Sequence, residues 1–440
     1  MLQTNTENRQ TIGSYWEASV PEPKPDRQLI GNAQFDVAII GGGIAGLSAA
    51  LKLAQSGVSV CVLEAEHVGY GASGRNGGFC CLGGTKLDYH QLIRKFGLEE
   101  ARKFVAYQVA GVNLVAQRLD SWGVDASRHS RGEIALAHRP KDFTRLKSEA
   151  AFLKENFGIK PTLLSKEELD AEGYGGPEFH GGMLVPYGFA LNPMAYVQAL
   201  GEQVRLAGGK IFGKTPVSSL ERDGDRWQAE TQHGVVRARK IMLAGNGYAR
   251  EDVPKWLHGR TMPVMSSILV TRPLSDGELS AQGWTTETMA SDTRTLLHYF
   301  RLMPDRRFLF GTRGGLFENP AALAAMQKRA RSDFDTMFPA WSGIEADYTW
   351  YGHVCLARTL TPFVGEVPGM EGVYAAMGWH GSGVAMASLS GEKIAGMITG
   401  TVRQQDLPVA LQRPFRKFPL PFLRKLYLQG AYWWYGLKDL

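Results

Sequence analysis

Hydrophobic positions early in the chain predict a strand, a helix and a second strand in close succession. The run Phe35–Ile40 is short and apolar, Ile44–Ser56 carries alanine and leucine at helical spacing, and Val58–Leu63 is apolar again. Short apolar runs bounded by turn residues favour buried strands, whereas longer periodic runs favour helices. This segment therefore predicts a β-α-β unit.

Later parts of the chain predict further strands and helices. Strand patterns occupy 209–244 and 261–315, helix-forming residues dominate 93–160, and 383–399 predicts an amphipathic helix. The alternation of these stretches predicts a mixed α/β fold made of two interleaved domains.

The composition is that of a globular protein and excludes a peptide, a disulfide scaffold or a disordered tail. The 440 residues are 44% hydrophobic and 21% charged, which allows two or three domains. The net charge of 49 − 43 = +6 is too small to indicate nucleic-acid binding without a clustered patch. Most of that charge lies in 413–440, which has six basic residues and one acidic residue, or 6 − 1 = +5.

The four cysteines indicate neither a disulfide framework nor a metal site. Cys61, Cys80, Cys81 and Cys355 contain no CxxC spacing and no Cys/His cluster, so we expect no metal and a reducing, cytoplasmic setting. The start of the chain has no apolar core of signal-peptide type. The longest weakly charged run, 36–52, is shorter than the ~20 residues that a membrane span requires.

The predicted β-α-β unit carries a dinucleotide-binding fingerprint. Gly41, Gly43 and Gly46 form GxGxxG between the strand and the helix, and Glu64 ends the second strand. Such glycines permit the tight turn, the approach of a pyrophosphate to the helix N-terminus and close helix–strand packing, while the acid can accept from ribose hydroxyls. The alternative is a glycine-rich helix start without a ligand. A second match, Gly69–Gly74, has no strand before it and predicts a loop.

No second β-α-β fingerprint and no redox CxxxxC are present, which favours a single dinucleotide. Several segments together resemble the FAD-dependent amino acid and amine oxidoreductases of the D-amino-acid oxidase superfamily and, within it, gamma-glutamylputrescine oxidoreductases. The likeness covers most of the chain. The segments are Ser14–Trp16, Ile39–Ser48, Glu64, Val68–Gly78, Tyr299–Leu302 and Gly378–Val384.

This resemblance implies a Rossmann-like FAD-binding domain interleaved with a substrate domain built on a mixed antiparallel sheet. The expected cofactor domain is discontinuous and comprises 30–92, 188–250 and 345–402. The expected substrate domain comprises 93–187 and 251–344, and 403–440 forms a basic aromatic C-terminal segment.

The resemblance also implies noncovalent FAD, with Cys355 and His380 as the nearby candidates for a covalent link. The turn Gly378–Gly383 precedes the last predicted domain helix, so its amides and dipole would favour negative charge on a reduced flavin. Simple helix capping is the alternative. The residues expected to contact the cofactor are Gly41, Gly43, Ile44, Ala45, Gly46, Glu64, Ala65, Gly71, Ala72, Ser73, Arg75, Asn76, Gly77, Gly78, Val217, Ala244, Gly245, Gly378, Gly381, Ser382, Gly383 and Val384.

The activity implied is oxidation of the C–N bond of an amine or amino acid to an imine. The candidate catalytic residues are Tyr299, Arg301, His353 and His380, although a strand arginine can be ion-paired elsewhere and an isolated histidine can be structural. A gamma-glutamylputrescine-like amine, with oxygen reduced to hydrogen peroxide in bacterial polyamine catabolism, is the first expectation. His380 precedes the Gly-Ser-Gly turn, where polyamine relatives resemble Gly-x-Ser-Gly-His-Gly, and this departure leaves the substrate open.

Two alternatives remain at this point. One is an oxidase or dehydrogenase of a cyclic or N-substituted amino acid, of the L-pipecolate, proline or sarcosine type, with a quinone or electron carrier as acceptor. The other is a flavin-binding subunit without activity. The sequence does not decide the oligomeric state.

The C-terminal segment has two interpretations. Basic residues interrupt apolar positions that recur at three and four, which suits either peripheral contact with the inner membrane or a helix packed on the body. The apolar positions are Leu423, Leu426, Tyr427, Gly430, Trp433, Trp434 and Leu437, interleaved with Arg424, Lys425 and Lys438.

Overall fold

The computed structural model describes residues 13–22 and 25–439, with the side chains of residue 431 and residues 433–438 excepted. The strands, numbered in chain order, are β1 Ala33–Ile40, β2 Val60–Leu63, β3 Phe79–Cys80, β4 Glu133–Leu136, β5 Thr162–Leu164, β6 Gly182–Val185, β7 Phe189–Ala190, β8 Lys210–Phe212, β9 Val217–Asp223, β10 Arg226–Thr231, β11 Gly234–Leu243, β12 Thr261–Thr271, β13 Met289–Asp292, β14 Tyr299–Leu302, β15 Phe308–Gly315, β16 Ala346–Ala357, β17 Phe363–Glu366 and β18 Val373–Met377.

The helices are α1 Tyr15–Ala18, α2 Ile44–Gln55, α3 Ala72–Arg75, α4 Tyr89–Phe96, α5 Leu98–Trp122, α6 Pro140–Phe157, α7 Lys166–Ala171, α8 Pro193–Leu206, α9 Asp276–Gln282, α10 Pro320–Met337, α11 Val384–Ile398, α12 Val409–Gln412 and α13 Arg424–Asp439.

The first sheet has the strand order β17-β18-β11-β1-β2-β8, and the hairpin β9-β10 extends it from β11. Its centre is the predicted β-α-β unit, because β1 runs parallel to β2 and to β11. Helices α2 and α11 pack closely together over this sheet. A Cβ on Gly391 of α11 would lie 2.3 Å from the Ala45 carbonyl oxygen, so glycine permits this close approach.

The second sheet has the order β16-β12-β15-β14-β13-β4-β6-β5 and is antiparallel except where β13 pairs with β4. Aromatic side chains fill the core on one face of it, and Trp284 packs edge-on against Phe300 with ring centroids 5.4 Å apart. Aromatic pairs in this geometry stabilise a core beyond their buried area. The mixed α/β fold predicted from the sequence is confirmed.

One strand lies on a different sheet from the one that the predicted boundaries imply. The expected cofactor domain includes 345–402, yet β16 pairs with β12 along its whole length, from Ala346 opposite Thr271 to Ala357 opposite Thr261. The strand β16 therefore belongs to the substrate-side sheet. The remaining domain boundaries stay a prediction.

The C-terminal helix α13 packs on the body of the protein along one face. Leu428 and Tyr432 join Met262 and Val264 of β12 in a small apolar cluster. The helix is also held at both ends. Arg424 pairs with Glu251, and the Asp439 carboxylate accepts from the N–H groups of residues 295 and 296 at 2.9 and 3.0 Å.

This packing agrees with one of the two sequence interpretations of the segment, but the buried residues are not the predicted ones. Leu426 and Tyr427 of the predicted apolar stripe are exposed, while the neighbouring Leu428 is buried. The side chains of Trp433, Trp434, Leu437 and Lys438 lie outside the described part of the structure. Across the described ranges, no helix has the length and apolar composition needed to cross a bilayer.

Candidate active site

The N-terminus of α2 forms a cradle that only glycines can build. Gly43 occupies the N-cap position without a side-chain cap, and Gly41 has φ +116°. A Cβ on Gly46 would lie 2.1 Å from the Gly41 carbonyl oxygen, and a Cβ on Gly43 would lie 2.7 Å from Ser73 Oγ. The Ile44 N–H donates to Ser73 Oγ at 2.9 Å, while the Ala45 N–H, in the first turn of the helix, stands at a site suited to a pyrophosphate.

Glu64 fastens this cradle to the end of β2. The Gly42 N–H donates to Glu64 Oε2 at 2.6 Å, and the Glu66 N–H donates to Oε1 at 3.0 Å. Burial raises the pKa of the Glu64 carboxyl, whereas these two amide donors lower it. The carboxylate keeps lone pairs for the ribose hydroxyls that the fingerprint predicts, and Ala65 follows it in the chain.

The segment Gly71–Gly78 contains the short helix α3, where the sequence predicted a loop at Gly69–Gly74. Asn76 Nδ2 donates to the carbonyl groups of Ala72 and Ser73, both at 3.0 Å, and its Oδ1 accepts from the Gly78 N–H at 2.7 Å. Arg75 Nε donates at 2.7 Å to the carbonyl of Tyr70, the residue just before this segment. These predicted flavin neighbours therefore shape the segment itself.

One further turn and the start of β9 complete the predicted cofactor wall. A Cβ on Gly41 would lie 2.9 Å from the Ala244 carbonyl carbon, so the turn at Ala244 and Gly245 adjoins the cradle. Val217 is buried at the start of β9, two residues after Thr215, whose N–H donates to the Glu64 carbonyl at 2.7 Å. The cradle, Glu64 and this turn therefore meet at the carboxyl edge of the first sheet.

The turn Gly378–Val384 leads directly into α11. Gly378 donates its N–H to Asn246 Oδ1 at 2.9 Å, and Gly383 is the N-cap of α11 without a side-chain cap. The turn includes positive φ angles at Gly378, His380 and Gly381. Ser382 packs close to the loop after β3, because a Cβ on Gly83 would lie 2.5 Å from the Ser382 Cβ.

His380 lies in this turn as a neutral, buried ring. Burial and the charge of Lys86 lower its pKa to about 3, despite the nearby Thr361 carbonyl. Neither ring nitrogen makes a well-formed hydrogen bond within the described residues. An uncharged buried ring with free nitrogens can accept or donate a hydrogen bond to a bound group.

Tyr299 of β14 covers the cofactor segment from the second sheet. A Cβ on Gly77 would lie 2.6 Å from Tyr299 Cε2, and the tyrosine ring packs edge-on against Phe79 at 5.6 Å. Its hydroxyl lies 3.0 Å from Ser266 Oγ. Tyr299 therefore lies where the two sheets face each other, as a wall residue should.

Arg301 of β14 is held by the cofactor segment. Its side chain is fully buried, and the guanidinium donates to the carbonyl groups of Gly78 at 2.9 Å and Leu191 at 3.0 Å. The rings of Trp16 and Phe79 cover it. These donors hold the cofactor segment in place, and contact of Arg301 with substrate stays a prediction.

His353 is also held by protein partners. Its ring Nε2 lies 2.7 Å from Glu318 Oε1, and its backbone N–H donates to the Tyr248 hydroxyl at 3.1 Å. Nδ1 is buried without a hydrogen bond to any described residue. The structure thus connects His353 to the turn after β11, and its contact with substrate stays a prediction.

Two cations that the sequence analysis did not select complete the site. Arg313 on β15 reaches the final glycine turn, since its Nη2 lies 3.1 Å from where a Cβ on Gly381 would stand. Burial lowers the pKa of Arg313, and burial together with the Arg313 charge lowers the pKa of Lys86 to about 7. Arg313 is half-buried and Lys86 is exposed, so both cations are accessible to solvent, and the Arg313 charge acts on Lys86, Tyr299 and His380 around it.

Among the residues that the structure describes, these two cations have no carboxylate partner. Neither is among the ion pairs that the described residues form, and the acid that acts on Arg313, Asp292, already pairs with Arg294 and His298. Lone cations in a cavity are unfavourable unless an anion binds there. Lys86 follows a Gly-Gly pair and Arg313 interrupts an apolar strand, which are the sequence signals that could have revealed them.

A dinucleotide cradle on one sheet, facing an aromatic wall on the other, is the arrangement of a dinucleotide-dependent enzyme. Residues 36–397 match the family described as FAD dependent oxidoreductase, and the chain belongs to this family. The protein is accordingly an FAD-dependent oxidoreductase that acts on the C–N bonds of amines or amino acids.

Named relatives agree with this class. The chain is 28% identical to the gamma-glutamylputrescine oxidoreductase of Escherichia coli (strain K12), over 97% of this chain and 98% of the relative. It is 26% identical to the glycine oxidase of Bacillus licheniformis, over 83% of this chain and 94% of the relative.

Solved structures share the fold. The glycine oxidase of Bacillus cereus ATCC 14579 superposes with a TM-score of 0.69 at 21% identity, covering 87% of this chain and all of that chain (100%). The L-proline dehydrogenase of P. horikoshii gives a TM-score of 0.68 at 18% identity, covering 89% of this chain and 100% of that one.

The residues present fit FAD. The amides at the start of α2 and the acid Glu64 suit the pyrophosphate and ribose of the dinucleotide. The second helix N-terminus, at Gly383, and the free nitrogens of His380 supply the hydrogen-bond donors and positive dipole that a flavin ring requires.

Proposed function

We propose that the protein oxidises the C–N bond of an amine that also carries a carboxylate, with a gamma-glutamylputrescine-like compound as the first candidate. The single observation that carries this proposal is the pair Lys86 and Arg313, two cations beside Tyr299 that form no ion pair with any described acid. A carboxylate is the substrate group that two such cations would bind. The gamma-glutamyl group carries one, whereas putrescine does not.

Each residue has a proposed task in this reaction. The guanidinium of Arg313 and the ammonium of Lys86 hold the carboxylate, and Tyr299 orients the carbon chain from the side of the second sheet. A bound FAD supplies the acceptor for the hydride that leaves the carbon next to nitrogen. The positive end of α11 favours the negative charge that develops at the cofactor.

Arg301 contributes indirectly. By donating to the Gly78 and Leu191 carbonyl groups it fixes the segment beside the cofactor cradle. Fixed positioning of reacting groups is a large part of the rate enhancement in reactions that need no external base.

The same cavity also suits a cyclic or N-substituted amino acid such as proline, pipecolate or sarcosine, because each of these carries a carboxylate. Matched substrate pairs separate the candidates. We expect peroxide formation with gamma-glutamylputrescine and much less with putrescine. Activity with proline or sarcosine but not with gamma-glutamylputrescine would favour a cyclic or N-substituted amino acid as the substrate. Absence of turnover with every amine, in a protein that retains FAD, would support the alternative of a flavin-binding subunit.

We propose oxygen as the electron acceptor and noncovalent attachment of FAD. Cys355 is buried and burial raises the pKa of its thiol to about 12, so it is poorly suited to form a covalent flavin link. Acid precipitation should release all of the FAD into the supernatant. A quinone or electron carrier replaces oxygen in the proposal if substrate reduces a dye rapidly while peroxide does not form.

A further inference from the structure

The outward face of the C-terminal segment exposes a group of large apolar side chains. Phe422 is 78% exposed, Leu426 63% and Leu420 55%, and Tyr427 is also exposed. Elsewhere in the described residues such side chains are few and scattered, including Leu206 at 70%. Isolated exposed apolar residues are ordinary, whereas a contiguous group indicates an interaction surface.

Packing on the body does not account for these residues. The inward face of α13 is already buried through Leu428 and Tyr432. The preceding stretch is anchored by Phe415, which is buried in the first-sheet core, and by the Phe418 N–H, which donates to the Gly259 carbonyl at 2.8 Å. The segment is therefore fixed with its outer apolar side chains facing solvent.

Basic residues surround this apolar group. Arg416, Lys417 and Lys425 are exposed, and the sequence contains no acidic residue between Asp406 and Asp439. Lys425 also lies over the ring of Phe317, 5.4 Å from its centroid, which adds an exposed aromatic residue to the patch.

Two acids close to this surface are already paired. Glu251 pairs with Arg424, and Glu318 pairs with His353. The exposed lysines and arginines therefore keep their positive field, which would attract an anionic partner.

We propose that residues 413–430 form a docking surface for an anionic lipid bilayer. Aromatic and leucine side chains would enter the interface while lysine and arginine contact the headgroups, as amphipathic surface anchors do. A symmetric contact between two copies is disfavoured by charge, because it would bring the basic residues of both copies together. This peripheral contact needs no membrane-spanning segment and does not depend on which amine is oxidised.

Vesicle sedimentation of the full-length holoenzyme tests the proposal. We expect binding to vesicles that contain phosphatidylglycerol, little binding to pure phosphatidylcholine, and weakening at high salt. Phe422→Ser with Leu426→Ser should reduce the partition coefficient by roughly tenfold or more, since two large apolar groups no longer enter the interface.

Leu206→Ser is the matched control, because it removes an equally exposed leucine far along the chain from this surface. Flavin content and melting temperature should remain unchanged in both variants, which separates lost docking from misfolding. Unaltered vesicle binding in the double variant would overturn the proposal. So would an absence of binding to the anionic vesicles, or a dimer that the double variant converts to monomer without any lipid binding.

Discussion

Replacement of Arg313 by methionine tests how the site holds its substrate. Arg313 is half-buried and its Nη2 reaches the final glycine turn, 3.1 Å from the position of a Cβ on Gly381. Removing one partner of a buried, hydrogen-bonded charge pair costs about 2–5 kcal/mol. Because Lys86 remains and the cavity admits water, we expect the lower part of that range, about 2–3 kcal/mol.

This free energy corresponds to a roughly 30- to 150-fold increase in the dissociation constant of a carboxylate-bearing substrate. The assay is anaerobic stopped-flow reduction of the flavin, which separates the substrate dissociation constant from the reduction rate. An amine of the same chain length without a carboxylate should change by less than about threefold, since it makes no contact that the variant removes.

Arg329→Met provides the control. Arg329 lies in α10, and its Nη1 lies 3.8 Å from the Cβ position of Gly314, the residue that follows Arg313 in β15. Arg329 takes no part in the proposed site. Equal losses for the two amines in the Arg313 variant, or no loss for either, would refute the assignment of Arg313 to the carboxylate.

Three further predictions follow from the site. Lys86 is a cation below its pKa of about 7 and neutral above it, so a carboxylate inhibitor should bind more weakly as pH rises beyond about 7, by up to about tenfold per pH unit. Lys86→Met should remove this pH dependence of binding, and an unchanged slope in the variant would contradict the prediction. Gly46→Ala should yield protein without FAD, because the new Cβ would collide with a backbone carbonyl. Gly277→Ala should keep its flavin absorbance, because the position of its new Cβ is open. Arg301→Met should lower the free energy of unfolding, measured by denaturant titration, by about 2 kcal/mol, because two charge-assisted hydrogen bonds are lost. The variant should keep the preference for carboxylate substrates, and loss of that preference would place Arg301 in the substrate site.

The cofactor half of the site was predictable because its rules are local. The turn from β1 into α2 needs glycine at Gly41, Gly43 and Gly46 for steric reasons that involve only nearby backbone, so the spacing in the sequence is sufficient. The same is true of the glycine turn before α11.

The substrate half was not predictable in the same way. Lys86 and Arg313 come from segments more than two hundred residues apart, and only the fold shows that they lie close together with no acidic partner among the described residues. Alternation along β14 places Tyr299 and Arg301 on one face, but it does not tell that Trp16 will cover Arg301 or that Phe79 will pack against both.

The C-terminal segment illustrates a related limit. Its helical periodicity predicted an apolar stripe through Leu426 and Tyr427, whereas the structure buries Leu428 and leaves Leu426 and Tyr427 exposed. Periodicity predicts that a helix has an apolar face, but the packing surface is chosen by the surrounding structure.

Anaerobic mixing of the purified yellow protein with gamma-glutamylputrescine, and separately with putrescine, tests the central claim most directly. The account predicts rapid bleaching of the oxidised flavin by the first amine and reduction at least tenfold slower at equal concentration by the second, because only the first brings a carboxylate to Lys86 and Arg313. Equal bleaching by both amines would contradict the role of the two cations. A protein that takes up no FAD would contradict the account of the site as a whole.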